Sequence, residues 1–131
     1  MIWLLRSATP TTRVRTAPAG LALAALGVRL DACLCSPKIR ALDTAGVVCG
    51  HLGLNPEPAE GLAGGDFDPG DLAAGRGEVP MVGHEPDFSH AIAQATGARV
   101  EMRKGGLAAI GEGTLITLRR PEQLEAIAHQ A

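Results

Sequence analysis

Aromatic residues are nearly absent from this chain of 131 residues, which has one Trp, two Phe and no Tyr. The hydrophobic fraction is nevertheless 46%, so the core is expected to consist of Ala, Leu, Val and Ile. No apolar run approaches the roughly 18 residues that a transmembrane helix needs, and no interaction with a membrane is expected. A formal net charge of −2 gives no general attraction to nucleic acid either.

Cysteine is scarce as well. The three cysteines are an odd number, which fits the reducing cytoplasm better than a disulfide scaffold. No basic region precedes the apolar N-terminal stretch, so a cleavable secretion signal is not expected. The best zinc candidates are Cys33, Cys35, Cys49 and His51. On a helix, however, Cys49 and His51 would point about 200° apart, so we expect buried thiols and neither a metal nor a cofactor.

Apolar runs alternate with helical patterns along the chain, which predicts an α/β fold. The predicted strands are Met1–Leu5, Leu30–Cys35, Val79–Gly83, Leu107–Ile110 and Thr114–Leu118. The predicted helices are Gly20–Leu26, Lys38–His51, Pro69–Ala74 with Asp68 as its cap, Asp87–Thr96 and Pro121–His129. We expect one domain over residues 1–131, with a three-layer α/β/α architecture whose sheet is mostly parallel and has an antiparallel edge strand.

Polar side chains directly follow three of the predicted strands. Arg6 and Ser7 follow the first strand, and His84 follows the third. Ser36 follows the second strand, and Arg40 comes one helical turn later. Open α/β sheets bind ligands beyond the carboxyl ends of their strands, and arginine binds phosphate through a bidentate fork. These residues therefore predict a site for a tetrahedral anion. Because Pro37 follows it, Ser36 is also expected to be the N-cap of the second helix.

Four motifs resemble those of the histidine phosphatase superfamily, which is phosphoglycerate mutase-like. Within it, the chain looks most similar to the SixA-type phosphohistidine phosphatases. The motifs are Leu5-Arg6-Ser7-Ala8, Ser36-Pro37-Lys38-Ile39-Arg40-Ala41 with Thr44-Ala45, Val82-Gly83-His84-Glu85-Pro86 and Lys104-Gly105-Gly106-Leu107-Ala108. They occur in the family's order over nearly the whole chain.

The resemblance implies a role for each matching residue. Arg6 and Arg40 would clamp a phosphoryl group, and Ser36 would hold the turn that aims Arg40 and belong to the same phosphate-binding set. His84 would bond to a phosphoryl oxygen and stabilise charge in the transition state. Glu60 is a candidate general acid. The ligand would be phosphate, a phosphorylated small molecule or a protein that carries phosphohistidine.

The family's nucleophile is the histidine directly after the first arginine, and here that position holds Ser7. Three interpretations remain open. Serine disables catalysis, so that the pocket only binds phosphate or a phosphoprotein; serine or water replaces the histidine as nucleophile; or serine is not the native residue. Because the loss of a nucleophile typically costs on the order of 10⁴-fold, the chain as written is expected to be an impaired phosphatase. The alternative is a non-catalytic pseudophosphatase.

Overall fold

The computed structural model describes residues 1–7, 17–27 and 30–129. The strands are β1 (Ile2–Arg6), β2 (Cys33–Cys35), β3 (Pro56–Pro58), β4 (Val79–Gly83), β5 (Leu107–Gly111) and β6 (Thr114–Arg119). The helices are α1 (Ala17–Ala25), α2 (Ile39–Leu52), α3 (Pro69–Ala73), α4 (Asp87–Thr96) and α5 (Pro121–His129), with a 3-10 turn over Glu60–Leu62. Within the described ranges, no helix is long and apolar enough to span a membrane.

The six strands form one mixed sheet in the order β3-β2-β4-β1-β5-β6. The first four are parallel, β5 is antiparallel to β1, and β6 is antiparallel to β5. The predicted parallel sheet with an antiparallel edge is thus confirmed. In the register of the sheet, Arg6 lies opposite Gly83 and Cys35 lies opposite Val82. The residues that follow β1, β2 and β4 therefore emerge at one edge.

The central strands β1, β2, β4 and β5 are buried on both faces, to which successive strand residues point in turn, whereas the edge strands β3 and β6 are largely exposed. Leu5 and Val82 pack under α1, α2 and α5, whereas Leu4 and Met81 pack under α3 and α4. Strands β1, β2 and β4 accordingly consist almost entirely of apolar residues, as is typical of buried parallel strands. This packing gives the three layers that the sequence predicts.

Strand β3 was not predicted, and β2 is shorter than predicted. Two prolines, Pro56 and Pro58, occupy β3, which explains why the pattern did not indicate a strand. The strand is tolerated because it lies at the edge of the sheet, where missing N–H donors remove few ladder bonds. The backbone N–H of Asp31 donates to the carbonyl of Glu78 before β2 begins.

The two predicted helix caps have different outcomes. Asp68 caps α3 as predicted, since its Oδ1 accepts hydrogen bonds from the backbone N–H groups of Gly70 and Asp71 at 2.8 and 3.3 Å. The prediction that Ser36 caps α2 is wrong, because the N-cap is Lys38. Ser36 Oγ instead accepts from the backbone N–H of Lys38 at 3.2 Å. With this local turn at Ser36, the helix begins at Ile39, one residue later than predicted. Residues 8–16, for which the threonines and Pro10 predict a loop, lie outside the described residues.

Candidate active site

The imidazole of His84 bridges the ends of three strands. His84 directly follows β4, and its Nδ1 lies 3.3 Å from Oγ of Ser7, which follows β1. Its Nε2 lies 2.9 Å from Oγ of Ser36, which follows β2. Because β4 is the strand between β2 and β1, one side chain reaches both hydroxyls.

The backbone holds both hydroxyls in place. The N–H of Ser7 donates to the carbonyl of Gly83 at 2.8 Å, and the N–H of Ser36 donates to the carbonyl of Val82 at 2.9 Å. These bonds extend the parallel pairing one residue beyond β1 and β2. Ser7 is 5% exposed and Ser36 is fully buried. Both serines are therefore held beside the imidazole by burial and by their backbone hydrogen bonds.

The environment of His84 favours the neutral ring. Partial burial lowers the pKa of His84, and the charges of Lys38 and Arg40 lower it further, whereas Asp87 opposes them. A neutral imidazole has one N–H donor and one acceptor nitrogen. One serine hydroxyl must therefore donate to the ring while the other accepts from it.

The two predicted arginines differ in their contacts. Arg40 is exposed in the first turn of α2, where its carbonyl accepts from Oγ1 of Thr44 at 3.0 Å, and its charge acts on His84. Arg6 is half-buried, and its Nη1 donates to the carbonyl of Met102 at 2.6 Å. The geometry thus brings Ser7, Ser36 and His84 into contact and positions Arg40 close enough to influence the ring.

Glu60 is exposed in the 3-10 turn that begins two residues after β3. Because β3 is parallel to β2, this turn lies beyond the same edge of the sheet as Ser36. The part of Glu60 as a general acid remains a prediction.

Glu85 and Ser89, for which the sequence predicted no role, hold the segment after His84 in place. Glu85 Oε1 accepts from the backbone N–H of Ser89 at 2.7 Å, and its Oε2 accepts from the hydroxyl of the same residue. Glu85 therefore satisfies donors in the first turn of α4, which begins at Asp87. The sequence could have indicated this contact, because Glu85 lies four residues before Ser89 at the start of the predicted helix.

The cysteines are free and buried at positions 33, 35 and 49, as predicted. A hydrogen bond with Cys49, together with burial, raises the pKa of the Cys33 thiol. In the portion of the chain that the structure describes, no group of three or more His, Cys, Asp or Glu side chains could hold a metal ion.

Solved structures of several phosphatases share this fold. The structure of the protein histidine phosphatase SixA complexed with tungstate matches with a TM-score of 0.78 and 18% identity, over 94% of this chain and 98% of that chain. A histidine-to-alanine mutant of phosphoserine phosphatase from Entamoeba histolytica, in complex with phosphoserine, matches with a TM-score of 0.70 and 13% identity, over 94% and 98%. The α-ribazole phosphatase from Shigella flexneri matches with a TM-score of 0.63 and 16% identity, over 91% and 94%. No protein-family model and no curated protein matches the sequence. The fold implied by the four motifs is therefore confirmed.

Proposed function

We propose that residues 1–131 form one histidine-phosphatase-like domain that binds the phosphoryl group of a phosphohistidine protein or a phosphorylated small molecule. The observation that carries the proposal is the bridge from His84 to Ser7 and Ser36 at the carboxyl ends of three parallel strands. Arg6 and Arg40 would supply the positive charge. Tungstate, which accompanies SixA in a structure of the same fold, is a tetrahedral oxyanion like phosphate.

The hydrogen bonds of His84 indicate how an anion would enter. Both ring nitrogens face serine hydroxyls, but the contact with Ser7 is 3.3 Å long and the contact with Ser36 is 2.9 Å. The longer bond is the weaker one, so a phosphoryl oxygen would replace Ser7 at Nδ1 while Ser36 keeps the ring in place. A nearby anion also favours the protonated imidazole, which would then donate to the oxygen and stabilise developing negative charge.

We propose that hydrolysis by the chain as written is slow. Because the bound anion protonates His84 and displaces Ser7 from Nδ1, only the minor state with a neutral ring still bonded to Ser7 can react. In that state His84 accepts the proton of Ser7 Oγ as a bond forms from that oxygen to phosphorus and the bond from phosphorus to the leaving nitrogen or oxygen breaks. The leaving group takes up a proton, for which Glu60 is the candidate donor. The resulting phosphoserine is harder to hydrolyse than a phosphohistidine, so turnover would stall after the first transfer.

A pseudophosphatase is the second candidate function. It is favoured by the position of Ser7, which follows the first arginine where the family has its nucleophilic histidine. Such a protein would hold a phosphorylated partner without turnover. The buried free thiols support a reducing compartment for either function, and we propose the cytoplasm.

The experiment that tests the phosphatase-like site is Ser7→His, with Ser7→Asn as the matched variant that lacks a nucleophile. We expect Ser7→His to raise the hydrolysis of an aryl phosphate by about 100-fold or more, because a nucleophile in a concerted site is worth orders of magnitude. Ser7→Asn should remain at or below the activity of the original chain.

Binding provides the second arm of the test. Phosphate and tungstate should bind the original chain, and Arg40→Gln should weaken that binding about tenfold, which corresponds to about 1.4 kcal/mol. A folded Ser7→His protein that neither hydrolyses aryl phosphate nor binds tungstate would falsify the proposed site. Binding of phosphate with no activity in Ser7→His would favour the pseudophosphatase.

A further inference from the structure

A cationic cavity of about 600 Å³ adjoins Arg6 on the β5 and β6 side of the sheet. The cluster of Ser7, Ser36 and His84 lies on the other side of Arg6, at the ends of β1, β4 and β2. The described residues that line the cavity are Arg6, Arg103, Lys104, Arg120, Pro121 and Glu122. Arg6 therefore lies between the proposed phosphoryl site and this second space.

Backbone hydrogen bonds fix the wall of the cavity to Arg6. The N–H of Arg6 donates to the carbonyl of Gly106 at 3.0 Å, and the N–H of Gly105 donates to the carbonyl of Arg6 at 3.1 Å. The N–H of Gly106 closes the turn by donating to the carbonyl of Arg103 at 2.8 Å. A Cβ on Gly106 would lie 2.8 Å from that same carbonyl oxygen, so the tight turn requires glycine. It places Arg103 and Lys104 directly beside Arg6.

The charges in the cavity are not balanced. Four cationic side chains and one carboxylate, that of Glu122, line it. In residues 1–7, 17–27 and 30–129, no carboxylate forms an ion pair within 4.0 Å with any of these four cations, whereas Arg76 elsewhere pairs with Glu57 at 2.5 Å. A concave surface lined mainly by one sign of charge concentrates the positive potential and attracts anions.

We infer that this cavity binds a second anionic group, a carboxylate or a phosphate, of the same ligand whose phosphoryl group is bound at His84. The inference rests on the proposed function, because Arg6 would contact both groups. Among the described residues, the carbonyl of Met102 is the one hydrogen-bond acceptor of the Arg6 guanidinium, so its other N–H groups can bridge the two anions. The ligand class is thus a phosphorylated compound with a neighbouring acidic group, either a small molecule or an acidic segment of a phosphoprotein.

The test compares propane-1,3-diol monophosphate with propane-1,3-diol bisphosphate by calorimetry at constant ionic strength. We expect the bisphosphate to bind at least about tenfold more tightly, or about 1.4 kcal/mol. The double variant Arg103→Gln with Lys104→Gln should abolish that preference. The control is Arg76→Gln with Arg99→Gln, which removes the same charge outside the residues that line the cavity and should keep the preference.

Peptides distinguish the two sources of the second anion. A phosphoserine peptide flanked by aspartates should bind more tightly than the same peptide flanked by asparagines if the source is a protein. A gain with the bisphosphate but not with the aspartate peptide would assign the cavity to small molecules.

The outcomes separate the inference from the function on which it rests. If the monophosphate binds and neither second anion adds affinity, the inference is wrong and the phosphoryl site stands. If the monophosphate fails to bind but the bisphosphate binds in a way that needs Arg103 and Lys104, the cavity stands and the phosphoryl site is wrong. If nothing binds, both are overturned.

Discussion

The hydroxyl of Ser7 lies 3.3 Å from Nδ1 of His84, although 77 positions separate the two residues in sequence. The contact follows from parallel pairing, because Arg6 lies opposite Gly83 and the next residue of each strand continues the register. The side chain at position 7 therefore lies beside the imidazole. Under the proposed function, the residue at position 7 would therefore decide between catalysis and binding.

The pKa of His84 provides the first prediction. Burial and the nearby cations Lys38 and Arg40 place it below its ordinary value of 6.5, and a bound anion should raise it. Titration of the ring protons by NMR should show the low value in the free protein and a higher value with tungstate. A value that does not change with saturating tungstate would mean that the anion does not reach His84.

The same shift predicts how stability depends on pH. The unfolded chain binds this proton more readily than the folded chain, so the free energy of unfolding rises with pH between the folded and unfolded pKa values of His84. Its contribution is present above about pH 6.5 and is lost as the pH falls. Urea unfolding should show a smaller loss on acidification in His84→Gln than in the original chain, and an equal loss would contradict the shift.

The two serines should contribute unequally to stability. Ser36 is fully buried and has contacts with both His84 and the N–H of Lys38, so Ser36→Ala is expected to cost about 1–3 kcal/mol. Ser7 has the longer side-chain contact, and Ser7→Ala should cost less than about 1.5 kcal/mol. Urea midpoints of both variants measure the difference. Equal losses would contradict the larger contribution expected of Ser36.

Much of the fold could be predicted because prolines and glycines mark the ends of several helices and strands. The bounds of β4, α4 and α5 agree with the prediction because Pro86, Gly97 and Pro121 mark where helical and extended backbone begin or end. Helix caps are harder to predict from sequence. A serine before proline can accept a hydrogen bond either as a helix N-cap or within a local turn, and Ser36 does the latter. Strand β3 could not be predicted from its own residues, because two of its three residues are prolines. It is a strand only through its pairing with β2.

The candidate site could be predicted in part for the same reason. Ser7, Ser36 and His84 each follow an apolar run, so their convergence follows from a parallel sheet. The cationic cavity was not predicted, because Arg103 and Arg120 flank an antiparallel pair whose position beside Arg6 depends on long-range pairing. The sequence does contain the motif around Lys104, but only the pairing of β5 with β1 places that side chain beside Arg6.

The cap of α3 gives a further test. Asp68 Oδ1 satisfies two N–H groups of a helix that is only five residues long, so Asp68→Ala should lower the free energy of unfolding by about 0.5–2 kcal/mol. Asp68→Asn keeps an accepting oxygen and should retain most of the stability. If both variants unfold at the same urea concentration as the original chain, the cap does not contribute.

The last prediction concerns the glycine that precedes His84. A Cβ on Gly83 would lie 2.7 Å from Cζ and 2.8 Å from Cε1 of Phe88, whose ring is buried in the core beneath α4. The ring cannot move away without disturbing packed neighbours, so Gly83→Ala is expected to cost about 1–3 kcal/mol. Because the displaced ring belongs to the helix that follows His84, the variant should also weaken phosphate binding.

Gly50 is the matched control for this substitution. It lies in α2, where an added Cβ meets nothing within 4 Å, so Gly50→Ala should stabilise the protein by up to about 1 kcal/mol through the better helix propensity of alanine. Urea midpoints should therefore move in opposite directions for the two variants, and phosphate affinity should fall only for the first. A Gly83→Ala protein with unchanged midpoint and affinity would show that the end of β4 adjusts freely, and that the position of His84 does not depend on Phe88.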